Sequence, residues 1–201
     1  MEERIEARWP PILAMLLAVG LAMALPDRYH FLEPWIPWTA CVLCIASMIA
    51  VAVAPGQLLL RRIEQIAVIG TAVVISIINC LCIYRLASDM LAAKHGYGSL
   101  ALLETAVVLW TVNMLAFALL YWQINRHSDF SFAEAEHPMA EGWQPRFIDY
   151  LFLAFATSAT FNPPDHSRPT SHRAKILLML QASISLIALF LIAARAIGTL
   201  S

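Results

Sequence analysis

One short apolar stretch, residues 146–169, constrains the fold most, because it lies between two long hydrophobic runs and matches neither in length. Its first part, residues 146–158, has an apolar helical pattern and would be about 20 Å long at 1.5 Å per residue. That length passes the middle of a hydrocarbon core of about 30 Å without crossing it. Three prolines follow within residues 161–169 and favour extended backbone. The stretch is therefore predicted to enter a bilayer as a half-length helix and to return as an extended limb.

The overall composition indicates a membrane protein. Apolar residues make up 60% of the chain and charged residues 13%, against about 45–50% and about 25% in soluble domains. The formal net charge of −1 offers no basic surface for nucleic acid, so no nucleic-acid partner is expected. We expect a multi-pass protein of the cell inner (plasma) membrane, with the lipid bilayer as its principal partner.

Five hydrophobic runs have a length near that needed to cross a bilayer. The first is the shortest and is interpreted as a retained helix, because no small-residue cleavage site follows it. Tyr121 and Trp122 at the end of the fourth run are typical of membrane-interface residues. The predicted fold class is an all-α membrane protein with about five transmembrane helices plus a re-entrant pore-helix and extended-loop segment. The five runs are residues 9–25, 36–54, 65–86, 100–124 and 174–197.

The half-length segment resembles the pore helix and filter of potassium channels. Thr157 and Thr160 fall where that family has its threonines, and Asp165 falls where it has an acid after the filter. The resemblance implies a pore loop, passage of a monovalent cation and a homo-oligomer, with a tetramer favoured. Where the potassium filter reads Thr-Val-Gly-Tyr-Gly-Asp, this chain reads Thr-Phe-Asn-Pro-Pro-Asp. Proline fixes φ near −65°, so the inward-facing carbonyl ladder of that filter is not expected here.

A second resemblance covers nearly the whole chain. The chain is similar to an uncharacterised family of bacterial membrane proteins, frequent in actinobacteria, whose members are often described as ion-channel-like. The similarity lies in the helix ending at residues 117–122, the Trp-x-Pro-Arg-Phe-x-Asp-Tyr start at 143–150, the turn at 160–165 and the ending at 194–197. The order of the hydrophobic runs predicts a three-helix part, residues 1–99, followed by a pore-like module, residues 100–201.

The residues expected to line the pore lie at the turn and on the last run. Gln181 and Ser185 are four positions apart and share one helix face. That face either lines a vestibule or forms hydrogen bonds between helices, and the latter role is also expected for Asn79 and Asn113. The full pore-lining set is Thr157, Ser158, Thr160, Phe161, Asn162, Pro163, Pro164, Asp165, Gln181 and Ser185.

An excess of acidic residues before and at the start of the half-length segment would attract cations to a pore mouth. A solvated linker is the plainer interpretation of the same polar residues, 123–144. The set comprises Asp129, Glu134, Glu136, Glu141 and Asp149.

The sequence does not decide from which side of the membrane the half-length segment enters. Four crossings before it place it on the side of the N-terminus, where nine basic residues fall against four on the other side. The positive-inside rule then makes that side cytoplasmic, whereas a potassium-channel arrangement has the loop outside.

Two cysteine pairs lie inside predicted spanning helices: Cys41 with Cys44, and Cys80 with Cys82. They suit either a thiol–disulfide protein or small packing residues. We expect no cofactor, no metal and no enzyme activity. The function predicted first is passive permeation of a cation through a pore loop that lacks the Gly-Tyr-Gly filter. A non-conducting scaffold that binds a partner and, third, a membrane thiol-redox protein are the alternatives.

Overall fold

The computed structural model describes residues 8–54, 56–91, 99–125, 129–132, 144–164 and 167–200. These residues form six α-helices and one small antiparallel sheet, and a 3-10 turn, Asp27–Tyr29, lies between the first two helices. The elements are α1 Trp9–Met23, α2 Trp35–Val53, α3 Leu58–Leu91, α4 Ser99–Ile124, β1 Phe130–Phe132, α5 Phe147–Thr160, β2 Ser167–Pro169 and α6 His172–Leu200.

Four of the helices, α2, α3, α4 and α6, are long and apolar enough to cross a membrane. Their outer faces expose many large aliphatic side chains, such as Leu43, Ile66 and Ile187. Apolar surface of this extent is unusual on a soluble monomer but suits contact with lipid. The predicted mostly helical, membrane-type fold is confirmed for these helices. The apolar helices α1 and α5 are shorter, with 15 and 14 residues.

Two ion pairs connect the residues before and after α1 to positions near opposite ends of α3. Arg8 Nε lies 3.4 Å from Glu64 Oε1, and Arg28 Nη1 lies 3.3 Å from Asp89 Oδ2. The two acids are 25 positions apart (89 − 64) on α3, or about 37 Å along a helix. Burial raises the pKa of Tyr29 to about 12, so its hydroxyl stays protonated and donates to Asp89 at 3.5 Å. The short α1, extended by its connector, therefore reaches along much of α3.

The centre of the bundle is α4, which contacts α1, α3, α5 and α6. Every residue from Leu115 to Trp122 is buried, as expected of a helix that is apolar on all sides. Tyr121 and Trp122 are only 0% and 8% exposed. The prediction that they anchor at the membrane interface is wrong for this part of α4, because neighbouring helices cover it.

A small two-stranded sheet lies beside the C-terminal end of α4. Strand β1 pairs with β2 in the register Phe130 opposite Pro169. Asn125 accepts a hydrogen bond from the Phe130 backbone N–H at 2.7 Å and donates to Tyr150 Oη at 2.6 Å. The stretch predicted as a polar loop thus contains a strand that holds the segments before α5 and α6 together.

Candidate functional site around the half-length helix

Helix α5 begins beside the end of α4. The Phe147 ring packs edge-on against Trp122, with 6.0 Å between centroids. The Asp149 carboxylate accepts a hydrogen bond from the Arg146 backbone N–H at 2.6 Å. An acid in the first turn also complements the positive end of the helix dipole. The helix start predicted from the sequence is confirmed, with Asp149 acting as its cap.

The other end of α5 lies level with the middle of the two long helices that flank it. Trp110, near the centre of α4, donates to the Ser158 backbone carbonyl at 3.4 Å, and its ring contacts Phe155 at 6.2 Å. Ser158 Oγ lies 3.1 Å from Ser185 Oγ, near the centre of α6. With 14 residues, α5 is about 21 Å long, so it runs about half the length of its neighbours.

A buried polar network holds this end of α5 in place. We use that name for Asn113, Tyr121, Ser158, Gln181 and Ser185, all 0% exposed. Gln181 is its centre, because its Nε2 donates to Ser158 Oγ and to the Ala154 carbonyl, both at 2.8 Å, and its Oε1 accepts from Tyr121.

The remaining contacts of the buried polar network complete the link between three helices. Asn113 Nδ2 on α4 donates to Ser185 Oγ on α6 at 3.0 Å, and that hydroxyl contacts Ser158 on α5. In an apolar surrounding such groups must satisfy one another. Asn113 thus forms the predicted hydrogen bond between helices. Asn79 does not, since neither of its side-chain amide atoms has a partner among the described residues.

The chain leaves α5 through an exposed turn, Thr160, Phe161 and Asn162, which we call the tip. Phe161 has φ 59° and ψ 14°, and its N–H bonds to the Thr157 carbonyl at 3.0 Å. Glycine usually occupies this left-handed position after a helix. Among the described residues, Phe161 is the one non-glycine with positive φ. The Thr160 hydroxyl lies 3.0 Å from the Asn162 carbonyl, which keeps the tip compact.

The predicted pore-lining residues fall into two groups. Within one chain, Thr157, Ser158, Gln181 and Ser185 are buried, so the shared face of α6 packs against α4 and α5 in place of lining an open space. Of the two interpretations of that face, the structure supports hydrogen bonding between helices. The second group is the tip with the half-buried Pro163 and Pro164. Asp165 lies outside the described residues.

Of the five residues predicted for an acidic mouth, the structure describes Asp129 and Asp149. Asp149 is the cap of α5. Asp129 is 6% exposed, and its backbone carbonyl accepts the Thr170 N–H at 2.9 Å. Glu134, Glu136 and Glu141 lie outside the described residues.

Three of the four cysteines, Cys41, Cys44 and Cys82, are buried. Cys44 Sγ lies 3.1 Å from Thr71 Oγ1, and Cys82 Sγ donates to the Tyr29 carbonyl at 3.3 Å. All four thiols are free, and Cys41 and Cys44 are buried. No group of three or more His, Cys, Asp or Glu side chains that could hold a metal ion occurs in the part of the chain that the structure describes.

The sequence interpretation missed two contacts that position α5, the hydrogen bond from Trp110 to Ser158 and the one from Asn125 to Tyr150. The sequence gives only a weak indication of these contacts, because each involves a single polar or amphipathic side chain within or beside an apolar run.

Comparisons with protein-family models, with curated proteins and with solved structures find no match for this chain.

Proposed function

We propose that this chain is an ion-channel-like integral membrane protein whose half-length helix and following turn form a re-entrant loop. In this arrangement α1, α2, α3, α4 and α6 cross the membrane. Helix α5 enters from the side on which α4 ends, and its tip lies near mid-membrane. The ion pair of Arg8 with Glu64 and that of Arg28 with Asp89 support a crossing by α1 together with its connector.

The exposure of the tip carries the proposal. Thr160, Phe161 and Asn162 are exposed on the single chain, at a level near the middle of α4 and α6. Non-helical backbone at membrane depth is tolerated only where protein buries it or where it lines water. A single chain facing lipid would expose the remaining polar groups of this turn, including the Asn162 side-chain amide, to hydrocarbon. Further copies, or a water-filled space between copies, must therefore cover the tip.

The chemistry of the tip favours a cation. The negative end of the α5 dipole points toward it, and it offers the Thr160 hydroxyl, the Asn162 amide and nearby carbonyls. Copies arranged around an axis, with a tetramer favoured, would bring these groups together into a passive pathway. The buried polar network would then position α5 and would not itself contact the ion. Because Pro163 and Pro164 exclude a carbonyl ladder, strong selectivity among monovalent cations is not expected.

Cation flux into liposomes tests the proposal. Liposomes that contain the purified protein are expected to take up a radioactive monovalent cation such as Rb⁺ faster than protein-free liposomes do, because the assembled tips provide a polar route. A matched sample of heat-inactivated protein is the control. Flux no greater than in that control, from protein shown to be folded and inserted, would contradict the proposal.

A non-conducting scaffold is the second candidate, and burial of the polar groups favours it. Thr157, Ser158, Gln181 and Ser185 are all turned inward, so one chain holds α5 rigidly without any open path. This candidate predicts no flux and a monomer or dimer in which the tip contacts a second protein surface. Particle symmetry separates the two candidates, because tips gathered at a four-fold axis are expected only of the first.

A further inference from the structure

A cavity of about 290 Å³ lies between α1, its connector, α2, α3 and α4. Its walls are almost entirely apolar, with Val19, Ile36, Ile78, Leu109 and Val112 among them. The volume is about twice that of an engineered apolar cavity of about 150 Å³ that binds benzene. It can therefore hold a molecule with about two aromatic rings or a short stretch of acyl chain.

Asn79 contributes a polar side chain to the wall of this otherwise apolar cavity. Its side chain lies in the cavity wall and is 3% exposed, yet neither its Nδ2 nor its Oδ1 has a hydrogen-bond partner among the described residues. An unpaired buried amide costs about 1–3 kcal/mol. His30, also in the wall, has a buried Nε2 without a partner. The Asn79 amide and His30 Nε2 can therefore form hydrogen bonds with a molecule bound in the cavity.

We propose that the cavity binds an apolar molecule bearing a neutral carbonyl or hydroxyl group, with Asn79 as its hydrogen-bond partner. A charged group would not suit the site, because no Asp, Glu, Lys or Arg is among the described residues that line it. A primary amide both donates and accepts, so Asn79 can bond either a carbonyl or a hydroxyl. This site does not involve α5 or its tip and stands independently of the proposed permeation.

The molecule can reach the cavity from the bilayer. Val74 and Phe31 belong to the wall and are 48% and 41% exposed, so they mark its outer edge. Val74 lies near the middle of α3, so in a membrane its exposed side chain would face the lipid. An ester-linked lipid tail from the bilayer and a free hydrophobic molecule share the required chemistry.

Benzophenone is a suitable probe, because it has two rings, one carbonyl and photoreactivity. Photolabelling of the full-length protein in detergent is expected to saturate and to map to the cavity wall, including Met23. Benzhydrol, which replaces the carbonyl by a hydroxyl, should compete better than diphenylmethane, which has neither group. Asn79→Leu keeps the branched shape of the side chain and removes the amide, so labelling at a fixed subsaturating probe concentration should fall roughly tenfold, the equivalent of about one hydrogen bond.

The same experiment identifies the source of the natural occupant and can overturn the proposal. Displacement of the probe by added ester phospholipid would assign the site to a bilayer lipid, and saturable labelling that phospholipid does not displace would assign it to a free hydrophobic molecule. Asn79→Leu is expected to fold, since it removes an unpaired amide, and Ala22→Phe, which fills the cavity, is the second variant. Labelling spread over the lipid-facing surface and unchanged in both variants would overturn the proposal.

Discussion

The Gln181→Leu variant is expected to lose roughly 2–4 kcal/mol of unfolding free energy. Gln181 accepts from Tyr121 and donates to the Ala154 carbonyl and the Ser158 hydroxyl. Leucine has a similar volume but makes none of these bonds. In a fully buried place the Tyr121 hydroxyl then loses its partner, and the Ala154 carbonyl and the Ser158 hydroxyl each lose one hydrogen bond. Unfolding in mixed micelles, followed by circular dichroism as a denaturing detergent is added, measures the difference.

Ser183→Leu is the matched control for this experiment. Ser183 lies on the same helix, but it is exposed and bonds only to the Met179 carbonyl of its own helix. We expect its unfolding free energy to change by less than about 0.5 kcal/mol, as for most surface substitutions. Equal effects of the two substitutions would show that the buried polar network does not hold α5.

The double variant Thr160→Val with Asn162→Leu is expected to lower cation flux at least about tenfold, the equivalent of a barrier about 1.4 kcal/mol higher. Both substitutions keep the approximate size of the side chain and remove its polar group. If the tips form the narrowest part of a pathway, this creates an apolar constriction that excludes water and ions. Rb⁺ uptake into liposomes is the measurement.

Phe155→Leu controls for a general effect on α5. Phe155 is 47% exposed on the outer face of the helix, one turn before the tip. Its substitution should leave the flux near that of the unchanged protein. A double variant at the tip that conducts as well as Phe155→Leu would remove the tip from the pathway.

The start and length of α5 were predictable because they depend on local signals. The apolar run is too short to span, Pro145 precedes it, and Asp149 falls in its first turn, where the structure places the cap. The longer runs were also found, although α3 extends to Leu58–Leu91, well beyond the predicted 65–86. Arg61, Arg62 and Glu64 lie before the predicted run and belong to the first turns of α3.

The direction in which polar side chains face was not predictable. Gln181 and Ser185 form the same pattern whether their helix face meets water or another helix, and only the position of α5 decides between the two. Asn79 and Asn113 show the same limit. Both are single amides in apolar runs, yet Asn113 bonds Ser185 at 3.0 Å whereas Asn79 borders a cavity.

Long-range pairing and backbone strain also escaped prediction. Strands β1 and β2 have three residues each and lie more than thirty positions apart in the chain, so neither has a clear local pattern. The left-handed conformation of Phe161 was not predictable, because the residue in this position after a helix is usually glycine and here it is phenylalanine.

The most direct test of the central claim is the accessibility of the tip to water inside a membrane. In a background with all four cysteines changed to alanine, Asn162→Cys and Phe155→Cys would each be treated with a small, charged thiol reagent in liposomes. If copies assemble around a hydrated pathway at the tip, Asn162→Cys is modified quickly. Phe155→Cys, one turn before the tip and beside Trp110, is then modified slowly or not at all. Equal and slow modification of both positions would contradict a water-filled path at the tip.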